Sequence, residues 1–118
     1  MKEGIVLLGH GSKDPQWSQP FEKIAVSLGK RLPAVSVFLA YLEHGPSLDE
    51  AVAALVAKGA LSIRVIPLFL GAGGHVKDDL PKLVAQAKRP EVNLVLDKPI
   101  GEQPEVIEAI AAVISSAR

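Results

Sequence analysis

Two of the three histidines in this 118-residue chain lie in loops rich in glycine. His10 stands inside the segment Gly-His-Gly-Ser at 9–12, and His75 directly follows Gly-Ala-Gly-Gly at 71–74. Flanking glycines let the backbone turn sharply and leave an imidazole ring with little steric cover. Neutral imidazole is a common metal ligand, and histidine exchanges protons near neutral pH. The loops therefore predict metal ligands or general bases, although a turn histidine that only hydrogen-bonds a neighbour explains residues 9–12 equally well.

Glu43 is the carboxylate best placed to join these histidines, because it follows the second predicted strand. It would complete the coordination of a metal ion or accept a proton, whereas a solvated residue at a strand end is the simpler interpretation. The chain contains no cysteine, so any metal has to be bound by imidazole, carboxylate or water. His44 is adjacent and is assigned no role.

Two other kinds of site are disfavoured by the spacing of the same residues. The loop at 71–74 precedes a helix, as a phosphate-binding loop does. It has neither the Gly-x-Gly-x-x-Gly spacing nor the Gly-Lys-Ser/Thr ending of the nucleotide-binding loops. Ser12 lies near His10, but the Gly-x-Ser-x-Gly sequence of a nucleophile elbow is missing. Neither a nucleotide site nor a serine hydrolase is therefore predicted.

Short apolar runs alternate with longer amphipathic stretches along the whole chain. The predicted strands are residues 4–9, 34–42, 61–69 and 92–96. The alternation predicts an α/β fold, a four-stranded parallel sheet flanked by helices on both faces in a flavodoxin-like three-layer sandwich. Ligands bind such sheets beyond the carboxyl ends of the strands. Because the loops at His10 and His75 both leave strands at that edge, we expect the two rings to share one rim.

The helix boundaries follow from capping signals and apolar spacing. Ser47 and Glu50 form a capping box at the second helix, and Gly59 is its predicted stop. Pro81 fits the third helix only if that helix begins near Asp78, so that Asp78 and its neighbour Asp79 serve as acidic residues at a helix N-terminus. The first helix is predicted to carry one apolar stripe, made of Trp17, Phe21, Ile24, Leu28 and Leu32. The last helix is predicted to turn its apolar residues inward, and these are Ile107, Ile110, Val113 and Ile114.

Composition narrows the class of protein. The 118 residues fit one domain, residues 1–118, with 13 basic and 13 acidic side chains. A balanced charge disfavours a nucleic-acid binder, which needs a concentrated basic surface. The apolar run at 5–8 is too short for a signal peptide or a membrane span. We expect a cytoplasmic protein that binds neither nucleic acid nor membrane.

Three segments together resemble the CbiX/SirB-type sirohydrochlorin chelatases, which are class II chelatases. The first segment is Ile-Val-Leu-Leu-Gly-His-Gly-Ser-Lys-Asp-Pro at 5–15, and the second is Pro-Ser-Leu-Asp-Glu-Ala at 46–51. The third joins Val-Ile-Pro-Leu-Phe-Leu at 65–70 to Gly-Gly-His-Val-Lys-Asp-Asp-Leu-Pro at 73–81. They match in order and spacing over most of the chain. The resemblance is to the short form, in which one polypeptide equals half of a longer chelatase.

The resemblance implies an activity and a set of site residues. The activity is insertion of Co²⁺ or Fe²⁺, with Ni²⁺ also compatible, into a sirohydrochlorin-type tetrapyrrole, with the metal as substrate and no tightly bound cofactor. His10 and His75 would bind the metal, with Glu43 beside them in the catalytic set. One residue fewer than in the family pattern separates Glu43 from the Pro-Ser pair at 46–47. The remaining expected tetrapyrrole contacts are Ser12, Lys13, Gly73, Gly74 and Lys77.

The resemblance further implies a homodimer with the active cleft between its subunits. The alternative to an enzyme is a non-catalytic carrier of the metal or of the tetrapyrrole. Lys13 and Lys77 would receive substrate carboxylates, although plain surface charge explains both lysines as well.

Overall fold

Strands and helices alternate as the sequence predicts. The computed structural model describes residues 2–71 and 73–116, with the side chain of His75 outside the described part. The elements are β1 Glu3–Gly9, α1 Gln19–Arg31, β2 Ser36–Tyr41, α2 Leu48–Ala57, β3 Ser62–Pro67, α3 Gly74–Ala87, β4 Asn93–Leu96 and α4 Pro104–Ser116. Short 3-10 turns at Pro15–Ser18 and Ile100–Glu102 lead into α1 and α4. Among the helices described here, none is long and apolar enough to cross a bilayer.

All four strands are parallel, in the order β2-β1-β3-β4. Leu7 on β1 lies beside Leu39 on β2 and Ile66 on β3. The predicted parallel α/β sheet is therefore confirmed. Because β1 and β3 are neighbours, the loops that follow them leave the sheet side by side, and these are the loops that carry His10 and His75.

Alternating residues of β1 face two apolar layers. Val6 and Leu8 pack with α2 and α3 in the larger cluster, which also contains Val52, Leu55, Val65, Leu80 and Val84. Ile5 and Leu7 pack on the opposite face with Ile66, beneath Leu28 of α1. The period of two along the strand thus places helices on both faces.

The last helix does not pack as predicted. Ile107, Ile110, Val113 and Ile114 are 55%, 40%, 68% and 66% exposed, so the expectation that they face inward is wrong. Helix α4 packs chiefly against the preceding turn at Ile100–Glu102. Periodicity identifies the apolar side of a helix correctly, but it does not determine what covers that side.

The predicted start of the third helix is also wrong. Helix α3 begins at Gly74, with Gly73 as its N-cap, and Pro81 lies inside it. A proline there removes one backbone donor and costs roughly 3 kcal/mol in an isolated helix. Contacts of α3 with α2 and β4, through Leu80 and Val84, offset that cost. Asp78 and Asp79 consequently lie beyond the first turn, and the helix-terminus interpretation of these two residues is wrong as well.

The predicted ends of α2 are confirmed, but the Glu50 carboxylate accepts from the Ser47 hydroxyl at 3.4 Å and not from the Ser47 amide, as a capping box requires. The Ser47 hydroxyl accepts a hydrogen bond from the Glu50 amide at 3.1 Å. At the other end, Gly59 takes a φ of +92°, a conformation that glycine adopts without strain. These two residues set the ends of α2, whose Val52 and Leu55 belong to the larger apolar cluster.

Replacing Ser47 with alanine is expected to lower the free energy of unfolding by about 1 kcal/mol, because the Glu50 amide loses its acceptor. Urea denaturation monitored by circular dichroism measures the change. Ser18→Ala is the matched control, because it removes a hydroxyl that donates to the Pro15 carbonyl at 3.0 Å and caps no amide of α1. An equal loss in both variants would show that the cap contributes nothing specific.

Candidate functional site

Hydrogen bonds beyond the ends of β1 and β2 hold His10 and Glu43 side by side. The Leu42 amide donates to the Gly9 carbonyl at 3.0 Å, and the Glu43 amide donates to the His10 carbonyl at 2.9 Å. The ladder between the two strands therefore continues into their loops. As a result, an imidazole and a carboxylate leave neighbouring chains at the carboxyl edge of the sheet.

The glycines around His10 are required by close packing. Gly11 has a φ of +88°, and a Cβ there would collide with the carbonyl oxygen of Glu43. A Cβ on Gly9 would stand 3.3 Å from the Tyr41 ring, and one on Gly45 would stand 2.6 Å from it. The segment Gly-His-Gly thus fits against Tyr41 and the Glu43 backbone, which leaves His10 as the projecting side chain.

Aromatic side chains support this loop from the side of α1. Phe21 meets Tyr41 edge to face at 6.3 Å between ring centroids, and Trp17 lies 5.0 Å from Phe21. Burial raises the pKa of the Tyr41 phenol, and the charge of Glu22 raises it further. Tyr41 is therefore a neutral packing residue at neutral pH.

The His10 ring stacks against one aromatic ring of the described residues. Its centroid lies 4.4 Å from that of Phe69, with the two planes 30° apart. Phe69 follows β3 and is buried, so it orients the imidazole without enclosing it. Within the described part of the chain, neither ring nitrogen has a hydrogen-bond partner. An exposed, oriented and unpaired imidazole is able to bind a metal ion.

A cleft of about 490 Å³ opens beside His10, within the range of small-molecule sites. We call it the His10 cleft. It lies between the loops that follow β1 and β2 on one side and α3 on the other. Its apolar lining is Leu42, Val76, Leu80 and Leu83, and its polar lining is His10, Glu43, Asp79, Lys82 and Gln86. A lining that combines apolar side chains with charged and polar ones suits an organic ligand that carries charges at its rim.

Three polar residues of the His10 cleft were not predicted: Asp79, Lys82 and Gln86. Asp79 was missed because it was interpreted as an acidic residue at a helix N-terminus, and Lys82 and Gln86 were assigned no role in the sequence. In a helix that begins at Gly74, spacings of three and four residues bring all three to one side. Their alternation with Val76, Leu80 and Leu83 is the signal that identifies this side.

Several predicted ligand contacts lie outside the His10 cleft. The Ser12 hydroxyl accepts a hydrogen bond from the Asp14 amide at 3.1 Å. Ser12 lines a smaller cavity of about 140 Å³ that Trp17 also lines. Lys13 is exposed. Lys77 lines a third cavity of about 360 Å³, next to the end of β4.

The glycine loop places His75 next in the chain to Val76, which lines the His10 cleft. His75 is the second residue of α3. Its side chain lies outside the described part of the structure. A Cβ on Gly73 or Gly74 would have no atom of the described residues within 4 Å. Packing against the described residues therefore does not require these two glycines.

Metal ligands are sparse in this region. In residues 2–71 and 73–116, taken without the His75 side chain, no three histidine, cysteine or acidic side chains are grouped to hold a metal. His10 is the only histidine among the described side chains that line the cleft. The described residues thus provide an open position rather than a closed cage.

The chain is similar to known proteins over most of its length. The family model described as CbiX matches residues 4–117. A protein of Saccharolobus islandicus named sirohydrochlorin cobaltochelatase is 33% identical over 116 residues, which cover 91% of this chain and 89% of that one.

Two solved structures are similar along the whole fold. A CbiX protein from Marinobacter aquaeolei VT8 has a TM-score of 0.85 and 34% identity, and the match covers 98% of this chain and 96% of that one. The sirohydrochlorin chelatase SirB from Bacillus subtilis subspecies spizizenii, solved with cobalt, has a TM-score of 0.82 and 29% identity. That match covers 98% of this chain but 51% of SirB, so the shared fold accounts for about half of the longer protein.

Proposed function

The chain belongs to the CbiX family, and on that premise we propose that it inserts a divalent metal ion into sirohydrochlorin at the His10 cleft. One observation carries the proposal. An exposed imidazole with no hydrogen-bond partner among the described residues stands beside a carboxylate in a cleft lined by both apolar and polar side chains. Insertion requires a metal held loosely, a base for pyrrole protons and a wall for the macrocycle, and this arrangement supplies candidates for each.

His10 and His75 are the proposed metal ligands. Two neutral nitrogen donors leave several coordination positions for water and then for the tetrapyrrole nitrogens. Weak ligation suits the reaction, because the metal has to leave the protein. A closed site with four protein ligands would retain it.

Glu43 is the proposed acceptor for protons that the pyrrole nitrogens lose as the metal enters. Its backbone is fixed to His10 by the 2.9 Å hydrogen bond, and its side chain lines the same cleft. Each histidine becomes free to take up a proton as the metal leaves it. Glu43 and the two histidines would thus share the transfer of two protons to solvent.

The walls of the cleft position the macrocycle. Leu42, Leu80 and Leu83 offer apolar surface to the ring, while Lys82 and Gln86 are able to bind carboxylates at its rim. Outside the cleft, Ser12, Lys13 and Lys77 remain proposed contacts for carboxylates that extend beyond it. Gly73 and Gly74 would allow the ring to approach α3 closely.

Co²⁺ and Fe²⁺ are the proposed metals, with Ni²⁺ compatible with the same ligands, since imidazole binds all three. Sirohaem or cobalamin biosynthesis in the cytoplasm would consume the product. Two chains would form a homodimer in which the cleft of one subunit is completed by the other.

A multiple-turnover assay separates the enzyme from the carrier. Sirohydrochlorin and Co²⁺ are mixed with the protein at one-hundredth of their concentration, and insertion is followed by the change in the absorption spectrum. An enzyme converts many equivalents per chain at a rate proportional to its concentration. A carrier would bind about one equivalent and leave the remaining insertion at the rate measured without protein.

Lys82→Gln is expected to raise the KM for sirohydrochlorin by about 5- to 20-fold with little change in kcat, because one charge-assisted contact to a substrate carboxylate is weakened. Steady-state insertion kinetics give both constants. Lys88→Gln is the matched control, since Lys88 is exposed at the end of the same helix and outside the cleft lining. The same KM and kcat in both variants would show that Lys82 does not bind the substrate.

A further inference from the structure

The first turns of α3 separate two cavities. The His10 cleft lies along one flank of this helix, and the cavity of about 360 Å³ next to the end of β4 lies along the other. Leu80, which is 4% exposed, lines both of them from beneath the helix. We call the second one the Lys98 cavity. Its apolar lining is Leu80, Pro81, Leu96 and Pro99.

Charged side chains in the Lys98 cavity favour an anionic ligand. Lys77, near the start of α3, and Lys98, just after β4, both line it. Neither lysine has an ion-pair partner among the described residues. The Asp97 carboxylate, also in the lining, is already bound by Arg64 at 2.7 Å. The described lining thus offers two cationic groups against one remaining carboxylate, the exposed Glu102, and such groups bind carboxylates through charge-assisted hydrogen bonds.

The backbone that carries Lys98 is fixed to the end of β3. On one side of it, the Asp97 amide donates to the Val65 carbonyl at 2.9 Å. On the other side, a Cβ on Gly101 would collide with the Leu70 carbonyl, so the two loops are in close contact there. A lysine presented from a fixed backbone loses less conformational freedom when it binds a ligand than one on a mobile loop.

One tetrapyrrole is wide enough to reach both cavities. A helix with its side chains is about 10–12 Å across, and a tetrapyrrole measured between carboxylates on opposite sides of its rim spans more than that. The start of α3 is narrower still, because its N-cap Gly73 and its first residue Gly74 have no side chains. The helix therefore does not prevent a single ligand from binding along both of its flanks.

We propose that the Lys98 cavity binds carboxylates on one side of the sirohydrochlorin rim, while Lys82 and Gln86 of the His10 cleft bind carboxylates on the other side. The macrocycle then lies across the start of α3, the end of the helix that carries His75. Lys98 is in this way a specificity-determining residue for an acidic tetrapyrrole. The identity of the ligand rests on the proposed function, but the placement concerns binding and not metal transfer.

Binding of metal-free sirohydrochlorin, titrated in the presence of EDTA and followed by its fluorescence, tests the cavity without turnover. Lys98→Gln is expected to raise the Kd about three- to tenfold, because a charged contact to a carboxylate is lost. Glu102→Gln removes a like charge and is expected to lower the Kd about two- to fourfold. Lys88→Gln, outside both linings, is the matched control and should bind like the wild type. A Lys98→Gln variant that binds like Lys88→Gln, or changes of the same sign in both cavity variants, would overturn the proposal.

A double variant tests whether one molecule reaches both cavities. Lys82→Gln and Lys98→Gln in the same chain are expected to weaken a single binding event by the product of their separate effects, as for independent contacts to one ligand. No more than one sirohydrochlorin should bind per chain. Two bound molecules per chain, with each substitution affecting a different one, would show two separate sites and overturn the placement across α3.

Insertion kinetics with Co²⁺ separate this inference from the proposed function. Lys98→Gln is expected to raise the KM for sirohydrochlorin with little change in kcat, because it removes a contact made equally before and during the reaction. A chain that binds sirohydrochlorin with the dependences above but inserts no metal would overturn the proposed function and keep the placement. A chain that inserts metal with the same KM in Lys98→Gln and Lys88→Gln would overturn the placement and keep the function.

Discussion

His10→Ala is expected to lower the rate of metal insertion by more than about 100-fold. Loss of a residue that merely orients a metal ligand costs 10- to 100-fold in affinity or activity, and loss of the ligand itself should cost at least as much. Stability should change little, because the ring is exposed and contacts Phe69 on one side. Initial rates with Co²⁺ and with Fe²⁺, together with thermal melting, measure the two effects separately. His75→Ala is expected to behave in the same way.

His44→Ala is the control for that experiment. It removes an imidazole from a neighbouring loop, at a position that lines the smaller cavity beside Ser12 and not the His10 cleft. Its insertion rate is expected to stay within about twofold of wild type, as for surface changes away from a site. If His10→Ala and His75→Ala inserted metal as fast as His44→Ala, the assignment of the metal ligands would be wrong.

Gly11→Ala is expected to lower both stability and activity. A residue with a side chain at a φ of +88° costs roughly 1–2 kcal/mol in the left-handed region. The added Cβ would also collide with the Glu43 carbonyl, so the loops of His10 and Glu43 would have to separate. We expect a loss of about 2–4 kcal/mol in the free energy of unfolding, typical of a strained backbone position, and at least a tenfold loss of insertion rate.

Gly29→Ala makes the same substitution at a site where it is expected to raise the free energy of unfolding. Gly29 lies inside α1, where an added Cβ meets nothing within 4 Å. Alanine there should stabilise the protein by about 0.5–1 kcal/mol through helix propensity. Urea denaturation of both variants measures the contrast. A Gly11→Ala protein as stable and active as Gly29→Ala would show that the positive φ and the contact with Glu43 do not hold the site together.

The sheet and the position of His10 were predictable because local signals agree there. The apolar run before Gly9 has to be a strand covered on both faces, and the polar loop after it has to lie at the carboxyl edge. Glu43 could be placed near His10 for the same reason. The sequence does not reveal the backbone hydrogen bond that joins them, because that bond depends on the register between β1 and β2.

The two errors in the helices have a common physical origin. Pro81 is unfavourable inside a helix, but packing of Leu80 and Val84 compensates for it. The apolar side of α4 was correctly identified, yet α4 packs chiefly against the turn at Ile100–Glu102 and that side is exposed. In both cases the outcome depends on tertiary contacts that the local sequence does not specify. Asp79 was missed as a consequence of the first error, because it was interpreted as a helix-terminus residue.

The most direct test of the central claim is the X-ray absorption spectrum of the protein loaded with Co²⁺ in the absence of tetrapyrrole. The account predicts imidazole nitrogen ligands in the wild-type protein, with water at the remaining positions, and loss of the imidazole signal in the His10→Ala, His75→Ala double variant. A shell made only of oxygen ligands, or an unchanged spectrum in that variant, would contradict it.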